Sequence, residues 1–81
     1  MVVSVEFTGI QRELTGLDKI NMPITEKTVV RDVLDYIRKK FPHIPVDKDL
    51  VLTTVNHELA SPDRPLKAND VICILPHIGG G

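Results

Sequence analysis

The sequence predicts an α+β domain in which a mixed sheet of four to five strands packs on one main helix. Three observations carry that reading. Val30, Val33, Leu34, Ile37 and Phe41 recur at the spacing of a single helix face. On both sides of that helix, segments alternate apolar and polar residues on a two-residue period, as half-buried strands do. Finally, Val71-Ile72-Cys73-Ile74-Leu75 is apolar at every position, which marks a central strand covered on both faces. A chain of 81 residues holds one core and no second.

In chain order, Val3, Val5 and Phe7 face one way and Ser4 and Glu6 the other, giving a first strand that Gly9 ends. Ile10 to Leu14 fits one helical turn, with Ile10 and Leu14 stacked four apart and Gly16 as the stop. Ile20, Met22 and Ile24 alternate with Lys19, Asn21 and Pro23 in a second strand. Its proline suits an edge, and the short link favours an antiparallel hairpin. Thr28 is the expected N-cap of the helix. Asp32 and Asp35 lie toward its positive end, Arg38, Lys39 and Lys40 toward its negative end, and Pro42 stops it. A helix this one-sided needs a sheet to cover.

The stretch 43–49 reads as a loop, and Val51 to Val55 as a strand with Val51, Thr53 and Val55 on one face. Asn56-His57 makes a turn into a short return strand, Glu58-Leu59-Ala60. Ser61 to Pro65 is loop, from which Leu66 plugs the core, and Asn69-Asp70 forms the last turn. Hairpin, helix, strand, short strand and buried strand, in that order, are the layout of the β-grasp fold. The final strand is then expected to run parallel to the first, both under the helix.

The domain is expected to span 1–76 and a flexible tail 77–81, Gly79, Gly80 and Gly81 being consecutive glycines. Fixing glycine costs more backbone entropy than fixing any other residue. Such a run suits a thin tail that threads a narrow slot in another protein, and its one reactive group is the Gly81 α-carboxylate.

Composition narrows the function classes. Apolar residues at 42% and charged residues at 26% describe an ordinary soluble globule. A net charge of −1 makes no electrostatic case for nucleic acid. One cysteine excludes an intrachain disulfide and makes a cytoplasmic protein the default. No apolar run approaches the roughly 20 residues of a membrane span, and the N-terminus lacks a signal-peptide pattern. His43, His57 and His77 show no metal-ligand spacing, so no metal site is expected. Cys73, inside an apolar strand, reads as a buried inert thiol. With no phosphate loop and no nucleophile beside a base, no independent active site is legible.

The chain resembles the MoaD/ThiS family of ubiquitin-like sulfur carriers along essentially its whole length, and most of all the MoaD branch, the small subunits of molybdopterin synthase. The likeness rests on Phe7 through Arg12-Glu13-Leu14-Thr15-Gly16, on Thr28-Val29, and on the turn Val55-Asn56-His57-Glu58. It continues in Pro65-Leu66-Lys67 with Asp70-Val71, and in Leu75-Pro76 through Gly80-Gly81. The Arg-Glu-Leu-x-Gly insertion separates the MoaD branch from the shorter thiamin-pathway carriers, whereas Gly79 departs from the small or polar residue common before the final pair.

The resemblance implies that an E1-like adenylating enzyme of MoeB/ThiF type uses ATP to activate the Gly81 carboxylate, and that a sulfur donor then makes it a thiocarboxylate. The tail would next enter a large subunit of MoaE type, where sulfur passes to the pterin precursor of the molybdenum cofactor. The chain itself would bind no cofactor. Partners are expected to dock on an apolar patch of the sheet face away from the helix. Ile72 and Ile74 point opposite to Val71, Cys73 and Leu75, so one of these sets supplies it. The expected contact residues are Ile72 and Ile74 with Leu59, Lys67, His77 and Ile78. Three other roles share the fold: a sulfur carrier for thiamin or tRNA thiolation, a protein modifier forming isopeptides through Gly81, and a β-grasp interaction module with an idle tail.

Overall fold

Alternation over Val2–Glu6 (β1) takes Val3 and Val5 wholly out of solvent and leaves Val2 at the surface. The computed structural model describes residues 1–44 and 51–76. After β1 come α1 (Ile10–Thr15), β2 (Lys19–Pro23), α2 (Val30–Lys40), β3 (Val51–Val55), β4 (Glu58–Leu59) and β5 (Val71–Pro76). They form one sheet in the order β2-β1-β5-β3-β4. β1 pairs antiparallel with β2 and parallel with β5, and β3 runs antiparallel to both β5 and β4. The β-grasp expectation is met: first and last strands lie side by side and parallel, a pairing that needs a crossover element. Pro23 stands on the edge strand, where its missing N–H breaks no ladder.

The core is one layer between α2 and the sheet. Val30, Val33, Leu34 and Ile37 of α2 are buried with Val3, Val5, Val55, Ile72 and Ile74. Each large side chain so buried contributes roughly 1.5–3 kcal/mol. Phe7 meets Phe41 edge to face, ring centroids 5.5 Å apart, and closes one end of the layer. Leu66 enters from its loop and is buried, as expected.

The helix begins one residue later than its sequence suggests. Val29, not Thr28, is the N-cap, in extended backbone, and its N–H donates to Asp32 Oδ2 at 2.9 Å. The Thr28 hydroxyl instead accepts the Thr25 N–H at 2.9 Å, closing the turn before the helix. Two orphan donors of the first helical turn find carbonyls in the 61–65 loop, Val30 N–H at Arg64 O and Arg31 N–H at Pro62 O. That loop therefore caps α2. Asn56 and His57 both take positive φ, 52° and 72°, in the two-residue turn between β3 and β4.

Two expectations change. β5 is covered on one face only: Ile72 and Ile74 are fully buried, but Val71, Cys73 and Leu75 are half-exposed. A single helical layer covers one side of the sheet, and no second layer lies over the other among the described residues. In α1, Ile10 and Leu14 lie at the surface, and the buried residue is the polar Gln11, at 3% exposure. The expected loop over 43–49 falls largely outside the described residues.

Candidate functional site

Register decides which side chains share the open face of the sheet. Side chains directly opposite one another on paired strands lie on the same face. One row runs across all the strands: Lys19, Glu6, Cys73, Thr54 and Leu59. The next row, toward the end of β5, pairs Leu52 with Leu75. Leu59 is 71% exposed and Leu52 43%, with Leu75 half-buried between strands. Three leucines thus stand on solvent-facing positions close to where the chain leaves β5, beyond what the fold itself requires. Exposed apolar residues grouped at one place mark a contact surface more often than isolated ones do.

This corrects one choice. Ile72 and Ile74, expected among the partner-contacting residues, have 0% exposure and belong to the core. Their neighbours Val71, Cys73 and Leu75 form the outward set. Leu59 is on that face as expected. Leu52 was missed because a period of two on β3 separates its faces without saying which of them meets solvent.

Cys73 shares the open face and is half-exposed, not buried. Its thiol donates to Glu6 Oε1 at 3.5 Å. Partial burial pushes the thiol above its usual pKa, the Glu6 carboxylate pushes it further, and a hydrogen bond with Thr54 partly offsets both. The thiolate is the nucleophilic form, so this shift works against reactivity of the cysteine at neutral pH.

Lys67 is exposed, but at the other end of β5. Val71 and Pro76 are about 17 Å apart at the rise of an extended strand, which separates Lys67 from the exit. It lines a shallow hollow of about 350 Å³ with Asn56, Arg64, Pro65 and Asp70. Asp70 organises that end: Oδ2 accepts the Lys67 N–H at 2.8 Å and Oδ1 accepts from Asn56 Nδ2 at 3.0 Å. Asn56 Oδ1 in turn accepts the Val71 N–H at 2.9 Å, which starts β5.

His77, Ile78, Gly79, Gly80 and Gly81 lie outside the described residues. Among the described residues, no three His, Cys, Asp or Glu side chains converge as a metal would require. No helix there is long and apolar enough to cross a membrane.

Comparison with known proteins places this geometry. The model of the ThiS family matches residues 5–81. The molybdopterin synthase sulfur carrier subunit of Arabidopsis thaliana is 27% identical over 70 residues, covering 86% of this chain and 73% of that one. Among solved structures, a putative molybdopterin converting factor, subunit 1, from Pyrococcus furiosus superposes with a TM-score of 0.81 at 29% identity, over 93% of this chain and 95% of that one. The small archaeal modifier protein 1 of Haloferax volcanii has a TM-score of 0.80 at 18% identity over 93% and 95%, a likeness of fold alone.

Proposed function

The chain belongs to the ThiS family of β-grasp sulfur carriers, and from that premise we propose that it is the sulfur-carrying small subunit of a molybdopterin synthase. The observation that carries the carrier part of the reading is the family match through residue 81, which includes the glycine run as well as the folded domain. Two relatives, at 27% and 29% identity, bear molybdopterin names, and both are named as one part of a larger assembly.

The chemistry follows from the terminal carboxylate. A carboxylate carbon resists nucleophiles because its oxygen is a poor leaving group. An adenylating partner removes that obstacle. The Gly81 carboxylate oxygen attacks the α-phosphorus of ATP, and pyrophosphate leaves. A hydrosulfide-equivalent donor then attacks the acyl carbon, AMP leaves with the C–O bond, and the donor's proton passes to solvent. The product is a thiocarboxylate on Gly81. Nucleotide site and catalytic groups belong to the partner. Gly79 and Gly80 present no Cβ to the walls of a closed slot.

The test is intact mass after incubation with an E1-like enzyme, ATP and a sulfur donor, beside a chain amidated at Gly81. Gain of the oxygen-for-sulfur increment by the free carboxylate alone is the expected result. Absence of that increment, with an activating enzyme proven on its own substrate, would sink the carrier reading. The modifier reading shares the adenylate and needs no fold other than the one the Haloferax protein also has. It predicts instead an amide between Gly81 and lysine side chains of other proteins, found by mass spectrometry of cell extract.

Docking on the open sheet face has its own expected outcome. Leu52→Glu with Leu75→Glu places two charges where a desolvated apolar contact is needed, and interface anchors of this kind contribute 2 kcal/mol or more each. Binding to the large subunit should weaken by about 10²-fold or more, read by titration calorimetry. An unchanged Kd would move the interface elsewhere.

A further inference from the structure

Gln11 stands where the parallel β1–β5 ladder runs out. The register pairs Ser4 with Val71, Val5 with Ile72 and Glu6 with Cys73, and the Ser4 N–H donates to Asp70 O at 2.9 Å. In a parallel pair, alternate residues repeat that bond. The same spacing therefore directs the Glu6 N–H to Ile72 O and the Thr8 N–H to Ile74 O. β1 ends at Glu6, and Gly9, at φ 52°, turns the chain into α1. The last rung is made by proxy. The Thr8 N–H donates to Gln11 Oε1 at 3.3 Å, and Gln11 Nε2 donates to Ile74 O at 2.8 Å. A side-chain amide, itself a donor and an acceptor like a peptide group, is spliced between the two strands.

Its setting fits that role. Gln11 is 3% exposed, and both ends of its amide are satisfied. A buried amide without partners would be costly, so its position is specified by both strands at once. Among the described residues, Ile74 is the last of the buried core. On its other side β5 is held by β3 through Leu52–Leu75 and Val51–Pro76. Beyond the Glu6–Cys73 pair, Gln11 adds a hold on the β1 side to the one that β3 provides.

Resting on the carrier reading above, we propose that Gln11 is a positioning residue that sets the direction in which the chain leaves β5, and so where Gly81 is delivered in the activating enzyme. It touches no reacting atom. It acts by pre-ordering the launch point, so that the cost of ordering is not met on binding. Its loss should therefore appear in KM and leave kcat nearly unchanged, as for a contribution shared by ground and transition states.

The experiment compares the full-length chain with Gln11→Met, which keeps volume and deletes both hydrogen bonds. It adds Gln11→Glu, whose carboxylate keeps the Thr8 contact but cannot donate to Ile74 O when ionised. Val33→Ala, destabilised in the core on α2, serves as control. Pyrophosphate release at saturating ATP should show KM raised about tenfold in both Gln11 variants, while Val33→Ala, held where it is fully folded, leaves KM unmoved. An equal rise in Val33→Ala, or KM within about twofold of the parent in both Gln11 variants, overturns the proposal. Amide relaxation and exchange on the unaltered chain test the clamp without enzyme or variant. The Thr8 amide should be protected and Leu75 as rigid as β3; a mobile Leu75 overturns the proposal even if neither variant folds. A parent chain that takes no adenylate overturns the carrier reading as well. A rigid Leu75 with unmoved KM overturns this inference alone.

Discussion

Ile72→Ala is expected to destabilise the domain by about 3–4 kcal/mol, against less than about 1 kcal/mol for Val71→Ala. Ile72 has no exposed surface and is paired on one side with Val5 and on the other with Val55, both also fully buried. Truncating it opens a cavity at the centre of the three middle strands. The cost is then the lost transfer free energy plus the cavity term. A domain of this size has a total stability of roughly 4–12 kcal/mol, so one substitution removes about a quarter or more of it. Val71, one position away, is half-exposed on the open face. Urea unfolding reads both variants, and the contrast matters more than either value. Equal losses would mean that β5 is shifted by one residue, because a one-residue slip exchanges the two faces of a strand.

That pair also shows where sequence reasoning stops. Period-two patterning separates the faces of β1 and β2 because polar residues mark one of them, whereas each face of β3 carries a threonine. In β5 both faces are apolar, so nothing local distinguishes Ile72 and Ile74 from Val71, Cys73 and Leu75. The choice is made by pairing with Val5 and Glu6, more than sixty positions earlier. The outward set of β5 is apolar although no layer covers it among the described residues, and a pattern that reads folding alone assigns it to the core. The turn at Asn56-His57 was legible because asparagine tolerates positive φ. Thr28 was misplaced by one residue because Asp32, at the third helical position, satisfies the Val29 amide from inside the helix. Gln11 carried no signal at all. A glutamine in a short amphipathic turn looks solvated until the β1–β5 register brings Ile74 O within its reach. The tail is the reverse case: its one reactive group, the Gly81 carboxylate, stands in the sequence, and what that group would do is implied by the family resemblance.

Deleting one glycine from the tail is expected to lower adenylation at least about 10²-fold while leaving the unfolding midpoint where it was. Because Gly79, Gly80 and Gly81 are consecutive, removing any one of them yields the same chain. That chain still ends in a free carboxylate on a glycine pair, so its chemistry is intact. Only the spacing from Pro76 changes, from five residues to four, which shortens the maximum reach by roughly 3.3–3.6 Å. Reaction needs the attacking oxygen about 3–3.5 Å from phosphorus and in line, and a misplacement of 1 Å costs on the order of 10²-fold. The penalty arises only if the base of the tail is held, by the open face on its partner and by the end of β5. The buried core among the described residues reaches no further than Ile74, so stability has no reason to follow. Gly79→Ser, which keeps the length and adds a small side chain, should by contrast lose no more than a few-fold. If the shortened chain were adenylated at the full rate, the activating site would be capturing the terminal glycine pair wherever it arrives. The folded domain would then act as a passive handle, not as the fixed origin from which the tail is measured.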